Sequence, residues 1–417
     1  MTETRETLLN AFCSAVDAAK PSRALLGALP DVPKGRTVVV GGGKAAAGMA
    51  RALELAWPGE LSGVVVTRYG HALEHPERIE VLEASHPVPD EASQRAGTRI
   101  LETVRDLSKD DLVIALLSGG GSALMVAPDG VTLAEKIRLS EQLLRSGADI
   151  TEMNTVRKHL SRLKGGHLAI EAMPARIVSL IVSDVVGDDL SVIASGPTVP
   201  DPSTFLDAIR ILERYEIKAP AALEHFRRGI RGEIPETPKP DHPAFARTEN
   251  HLIVTNATAL EAARHALEHA GFQARVLSDR ITGEARDAAR EHAREALKLA
   301  PGEAFLSGGE TTVTVRGGGR GGRNLEFLLA LALELRGANG IHAIACDTDG
   351  IDGTSQAAGA IITPDTLGRA ARLGLDAHAM LHSNDAYTFF ERLGDLVQTG
   401  PTGTNVNDFR CVLRIHP

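Results

Sequence analysis

"TVVVGGGKAAAGMA", residues 37–50, is the stretch on which the fold turns. A β-branched run enters three glycines, a lysine follows, and an alanine-rich helical segment closes the unit. Strand, glycine turn and helix N-terminus in that order form the phosphate-receiving corner of parallel α/β folds. The spacing is neither the G-x-x-x-x-G-K-[ST] of a P-loop nor the G-x-G-x-x-G of a dinucleotide fold. Lys44 falls where the first helical turn begins, and a cation there opposes the helix dipole. An anion between the amides and the ammonium would resolve that misfit; the plainer reading is a surface lysine lying along the sheet edge.

Working outward, the same grammar recurs. Strands are expected at 37–40, 63–67, 79–84, 112–118 and 176–183, with helical patterns between most of them. Their near-continuous apolar character predicts burial on both faces, as in a parallel sheet. An amphipathic helix is expected over 5–20, stopped by Pro21. A proline-rich, charged stretch at 232–250 reads as a linker or crossover. Beyond it, strands are expected near 251–255, 273–277, 303–307, 311–315, 341–346 and 409–414, and helices at 256–270, 283–299 and 323–336. The expected architecture is two α/β domains, residues 1–235 and 251–417, joined by a linker at 236–250.

The bulk numbers narrow the function class. The 417 residues suffice for two domains. Hydrophobic residues are 43% and aromatics only 3%, so aliphatic side chains must fill the core. With 54 acidic and 45 basic residues the net charge is −9, which argues against coating nucleic acid or an anionic membrane. Three scattered cysteines without a C-x-x-C argue against a disulfide framework or zinc knuckle. The opening residues lack a signal-peptide pattern and no apolar run spans a bilayer, so a cytoplasmic protein is expected.

Three glycine groups are read at strand ends, where open parallel sheets bind ligands: Gly41, Gly42 and Gly43; Gly119, Gly120 and Gly121, bracketed by Ser118 and Ser122; and Gly308 with Gly309. Without Cβ, each lets an oxyanion approach backbone N–H groups, although ordinary tight turns use glycine equally well. Asp184 directly follows an expected buried strand, and Asp188 and Asp189 follow Gly187. Such carboxylates suit Mg²⁺ or general-base work, while Asp188 or Asp189 would serve equally as a helix cap. A second acidic loop holds Asp347, Asp349 and Asp352, and reads as a polar-group or metal site or as an Asx-turn loop. Arg323 ends a basic glycine-rich run at the start of a leucine-rich helix, where a planar guanidinium suits charge developing on a transferred phosphoryl group. Arg320 reads as a solvated loop charge. The helix at 152–169 reads as a basic helix with a glycine cap; Arg157, Lys158 or Lys164 attracting an anion is the less favoured alternative.

Taken together and in order, "GGGKAAAGMA", "YGHALEHP", "SHPVPDEAS", "SGGGSAL", "EMNTVRKHLSRLKGGHLA", "IVSDVVGDDLSVIASGPTVPDPSTF", "LSGGETTV", "GGRNLEFLLALAL", "ACDTDGIDGTSQAAGA" and "TGTNVNDFRCVL" span most of the chain. In these stretches the sequence resembles the glycerate 2-kinase family, the MOFRL-type or class II glycerate kinases, some members of which are labelled hydroxypyruvate reductase. The resemblance implies a larger Rossmann-like domain, a smaller α/β C-terminal domain and an active site in the cleft between them. It implies ATP- and Mg²⁺-dependent phosphorylation of D-glycerate at its 2-hydroxyl. The family's catalytic lysine and arginine fall on Lys44 and Arg323.

The resulting expectation is phosphoryl transfer. Lys44 and the glycine-turn amides hold phosphate oxygens or the substrate carboxylate. Asp184 or Asp188 holds Mg²⁺ or activates the hydroxyl, and Arg323 neutralises the transferred group. Lys44→Ala and Arg323→Ala are expected to lose turnover while staying folded. ATP and D-glycerate are the expected partners of a monomer or homodimer. The rivals are an NAD(P)H-dependent hydroxypyruvate reductase, which "GGGKAAAG" does not fit, and a non-catalytic sugar-phosphate-binding protein.

Overall fold

The computed structural model describes residues 2–416. The chain divides into two compact units, one from Pro21 to Ile253 and one combining the first twenty residues with everything from Val254 onward.

The first unit is built on β1 (Thr37–Gly42), β2 (Ser62–Arg68), β3 (Ile79–Ala84), β4 (Leu112–Leu117), β5 (Arg176–Val182) and β6 (Thr248–Val254). They lie in the order β3-β2-β1-β4-β5-β6. The pairs β1–β2, β2–β3, β1–β4 and β4–β5 are all parallel. Every residue of β1 and β4 is buried, as the uninterrupted apolar runs require. The helix Ala46–Ala56 crosses from β1 to β2, and Glu91–Thr103, started by an Asp90–Ser93 capping box, leads into β4. Strand order reverses between β1 and β4, which makes the carboxyl ends of these two strands the topological switch point.

A helical layer with its own core extends this unit. Helices Leu133–Ser146, Ile150–Lys158, Phe205–Arg214 and Pro220–Ile230 bury Leu139, Leu143, Met153, Val156, Phe205, Leu212 and Phe226. On Phe205–Arg214 the buried residues fall at 205, 208, 209, 211 and 212, a single apolar face of an amphipathic helix. Each large side chain buried there contributes roughly 1.5–3 kcal/mol.

The second unit carries β7 (Gln273–Glu284), β8 (Glu303–Thr312), β9 (Ile341–Asp347), β10 (Gly359–Ile362), β11 (Leu396–Val397) and β12 (Asp408–Arg414). Their order is β11-β10-β9-β12-β8-β7. Only β7–β8 is parallel; the remaining neighbours are antiparallel. The leucine-rich helix Arg323–Leu335 is buried on almost every side, so its all-round apolar character is core.

Four expectations about organisation change. The first helix, Thr2–Ala19, packs on helix Asn256–His269 of the second unit, with Phe12 and Phe409 rings 5.5 Å apart. Residues 236–250 are not a free linker: Thr237 and Pro238 are buried, Asp201 N–H donates to Pro238 O at 3.0 Å, and Lys239 Nζ donates to Asp201 O at 3.0 Å. The strand expected at 251–255 is β6, the edge of the first sheet. The strands expected at 303–307 and 311–315 are one strand, β8. Among the described residues no helix is long and apolar enough to cross a membrane.

Candidate functional site

At the switch point the first glycine turn is a packing device. Gly43 N–H donates to Val66 O at 3.0 Å, Lys44 N–H to Gly119 O at 2.8 Å, Ala45 N–H to Ser118 Oγ at 3.1 Å and Ala46 N–H to Gly43 O at 3.1 Å. The amides expected to cradle an anion are therefore occupied by the protein itself. The glycines serve close approach: a Cβ on Gly41 would stand 2.0 Å from Leu116 O, and one on Gly43 2.1 Å from Ser118 Oγ. This bonding pins the base of the half-buried Lys44 against the second loop.

That second loop, Ser118–Ser122, keeps donors open. Gly121 N–H turns back to Ser118 O at 3.2 Å, but among the described residues the N–H groups of Gly119, Gly120 and Ser122 have no protein acceptor. Successive unpaired amides of this kind form an anion-binding concavity. Asp184, just past β5, lies against this loop: a Cβ on Gly119 would meet Asp184 Oδ2 at 1.7 Å. The His86 ring lies over Gly120, 3.0 Å from where a Cβ would be. Asp188 sits in a turn with φ +58°, its N–H bonded to Val185 O at 3.0 Å. Asp189 accepts from Ser191 N–H at 2.8 Å in an Asx-type turn, and the short helix Ile193–Ser195 that follows has no side-chain cap.

Behind Ser122 runs a buried polar chain that sequence reasoning did not single out. Ser122 Oγ and Ser195 Oγ are 2.8 Å apart, and Ser195 Oγ donates to Asn154 Oδ1 at 3.0 Å. Ser195 has one proton, spent on Asn154, so Ser122 O–H donates to Ser195. Ala194 and Ser195 hold left-handed backbone, φ +51° and +61°, an uncommon conformation for residues with a Cβ. Lys164, 2% exposed, reaches Met125 O at 3.1 Å; burial, with the nearby Lys136 and Arg157 cations, pushes its ammonium well below the usual lysine range.

In the second unit Arg323 begins its helix as expected, but it is clamped. Its Nε donates to Asp408 Oδ1 at 2.6 Å, Nη1 to Glu310 Oε1 at 2.9 Å and Nη2 to Asp347 Oδ2 at 2.9 Å. Two of the five guanidinium N–H donors remain. The helix N-terminus is filled as well: Asp352 accepts from Asn324 N–H at 3.1 Å and Leu325 N–H at 2.9 Å. Burial raises Asp352 to about 6 against those two bonds. Burial also raises Asp347, helped by Asp349 and opposed by Arg323. Asp408, wholly buried, would likewise rise, but Arg410 and Arg323 hold it below the ordinary carboxylate range. The acidic loop is thus a scaffold for Arg323. Arg320 is a loop charge, paired with Glu391 and stacked over Tyr387.

Gly308 and Gly309 do not end a strand. They lie inside β8, paired to Phe409 and Asp408 of β12. Gly308 is small because the Asn256 side chain covers it, a Cβ there falling 1.7 Å from Asn256 Oδ1. Among the described residues no three His, Cys, Asp or Glu side chains form a ready-made metal cage.

Comparison with known proteins matches the chain to a family. Residues 7–227 match a domain of unknown function, DUF4147, and residues 303–408 match the MOFRL family. The chain is 42% identical to the D-glycerate 2-kinase of Thermotoga maritima, covering 94% of each chain. It is 52% identical, over 98% of its length and 94% of the relative's, to an Agrobacterium vitis protein provisionally named a hydroxypyruvate reductase. The crystal structure of the Thermotoga maritima glycerate kinase superposes with a TM-score of 0.91 at 39% identity, covering both chains completely. The chain belongs to the MOFRL-type glycerate 2-kinase family.

Proposed function

We propose that the chain transfers a phosphoryl group from ATP to the 2-hydroxyl of D-glycerate, giving 2-phosphoglycerate. The observation that carries the site assignment is the convergence, at the β1/β4 switch point, of Lys44, the unpaired amides of Gly119, Gly120 and Ser122, and the Asp184 carboxylate. The amides receive phosphoryl oxygens, Lys44 supplies the positive charge, and Asp184 lies beside them. In the second unit, Arg323 keeps two N–H donors for an anion. Such preorganised donors are the main source of catalysis in phosphoryl transfer.

Mg²⁺ fits this donor set. The cation prefers one or two carboxylates together with substrate phosphates to an all-protein cage. Asp184, packed over an anion-receiving loop, offers that chemistry, with Asp188 as the second carboxylate. When bound, the ion would neutralise phosphate charge. The enzyme acts in the cytoplasm, as a monomer or homodimer, without nucleic acid.

The reductase reading lacks support at its own signature positions. The turn amides after β1 that would hold a pyrophosphate are occupied. The end of β2, where an acidic residue would bind the ribose, is Arg68. Product identification tests the proposal. Incubation with D-glycerate, ATP and Mg²⁺ should yield 2-phosphoglycerate by ³¹P and ¹³C NMR; 3-phosphoglycerate would correct the regiochemistry. NADH oxidation by hydroxypyruvate without ATP use would overturn it.

A further inference from the structure

Among the described residues, Arg157 is a cation with no carboxylate paired to it. It is half-buried, yet among the described residues no acceptor or carboxylate lies within bonding distance of its guanidinium. Its neighbours in sequence are all provided for: Lys158 pairs with Asp201 at 3.4 Å, and His159 Nε2 meets Glu236 at 3.1 Å. One helical turn before Arg157, Asn154 is 3% exposed and its Nδ2 has no partner, although its Oδ1 accepts from Ser195. Residues three apart share a helix face. The Asn154 side chain is fixed at Ser195 and so beside Ser122. Arg157 is close enough to Lys164 to depress it, and Lys164 Nζ is anchored on Met125 O, at the end of the short helix Gly121–Leu124. The free Asn154 donor therefore lies beside Ser122, and Arg157 follows it one turn later on the same helix face. Buried donors without acceptors are costly and rare, and they mark places where a ligand completes the bonding.

We propose that Arg157 and Asn154 form the subsite for the carboxylate of the acceptor, an α-hydroxy acid. A guanidinium offers paired N–H donors that match a carboxylate, and the Asn154 amide adds a neutral third donor. Ser122, whose proton goes to Ser195, turns its oxygen lone pairs to the same neighbourhood and accepts from a substrate hydroxyl. The assignment rests on the kinase reading above and leaves Lys44 to the phosphoryl group.

The test uses the full-length enzyme with D-glycerate and its uncharged amide, D-glyceramide. Arg157→Gln should raise the KM for D-glycerate by about 100-fold, the scale of losing a charge-assisted bond pair. The KM for ATP should stay within about 2-fold, and the variant's turnover of D-glyceramide should match that of the wild type. Because an unpaired charge is removed, its Tm should equal or exceed the wild type's. Arg157→Lys should recover part of the affinity, and Asn154→Asp, which sets a like charge against the carboxylate, should lose it. A KM for D-glycerate unchanged in Arg157→Gln, or an equal loss with D-glyceramide, would overturn the subsite while leaving the kinase reading intact. Absence of ATP-dependent turnover of D-glycerate in the wild type would instead remove the reading on which it stands.

Discussion

The Ser118–Ser122 loop and the start of helix Arg323–Leu335 share one local grammar, a glycine-rich run feeding a helix N-terminus, and are finished in opposite ways. In the first, the N–H groups of Gly119, Gly120 and Ser122 are left without acceptors. In the second, Asp352 reaches in and takes the N–H groups of Asn324 and Leu325, while three carboxylates close on Arg323. The turn after β1 is a third case, closed by Val66 O, Gly119 O and Ser118 Oγ. A glycine turn at a helix start is an anion site only where no other part of the chain has already supplied the acceptor. The open loop receives; the clamped arginine is held rigid, with few donors to spare.

Breaking the clamp should have the largest effect. Arg323→Ala leaves the nearly buried Asp347 without its guanidinium and the wholly buried Asp408 with Arg410 alone. Beyond the loss of turnover, unfolding by denaturant should show a cost of about 3–5 kcal/mol, the usual consequence of orphaning buried charge. This replaces the expectation that the variant stays intact. Breaking the open side should be cleaner. Lys44→Ala should lower kcat by about 10³-fold, on the scale of removing a preorganised oxyanion donor, with the Tm within a few degrees of the wild type.

The filled helix terminus can be read by pH. Asp352 has its folded pKa raised from 3.8 to about 6. Below pH 4 both folded and unfolded states are protonated there. Between 4 and 6 the unfolded chain ionises first, so the wild type loses stability as pH rises, on the order of 3 kcal/mol in all. Asp352→Asn removes that slope, and the gap between the two unfolding curves should change across this window and be flat above it. Smallest, and confined to chemistry, is Gly119→Ala. The new Cβ displaces the Asp184 carboxylate, a movable side-chain end, so activity should fall about 100-fold with little change in Tm. Gly27→Ala, where a Cβ meets nothing within 4 Å, is the silent control.

The first sheet was legible because β1, β2, β4 and β5 carry near-continuous apolar runs, and β3 falls on 79–84 as expected. β10 and β11 were not, since four residues of Gly-Ala-Ile-Ile and two of Leu-Val carry no periodicity. Nothing in the first helix announces that its apolar face covers the second unit, because amphipathicity records that a face is buried and not by what. In the site, Lys44, Asp184 and Ser118–Ser122 were readable from their places at strand ends. Which amides remain open was not, because the acceptors lie far away in sequence: Val66 O for Gly43, Gly119 O for Lys44. Ser195 and Asn154 escaped for the same reason. Their meeting joins two segments 41 residues apart.

Selective ¹⁵N-glycine labelling tests the central claim most directly, because it reads both kinds of glycine turn in one spectrum. On addition of ATP and Mg²⁺, with or without D-glycerate, the amide protons of Gly119 and Gly120 should move downfield as they acquire phosphate acceptors. Those of Gly41 and Gly43, already bonded within the protein, should hold their positions. Movement of Gly43 with Gly119 and Gly120 unchanged would show that the anion sits on the β1 turn, and would contradict the account.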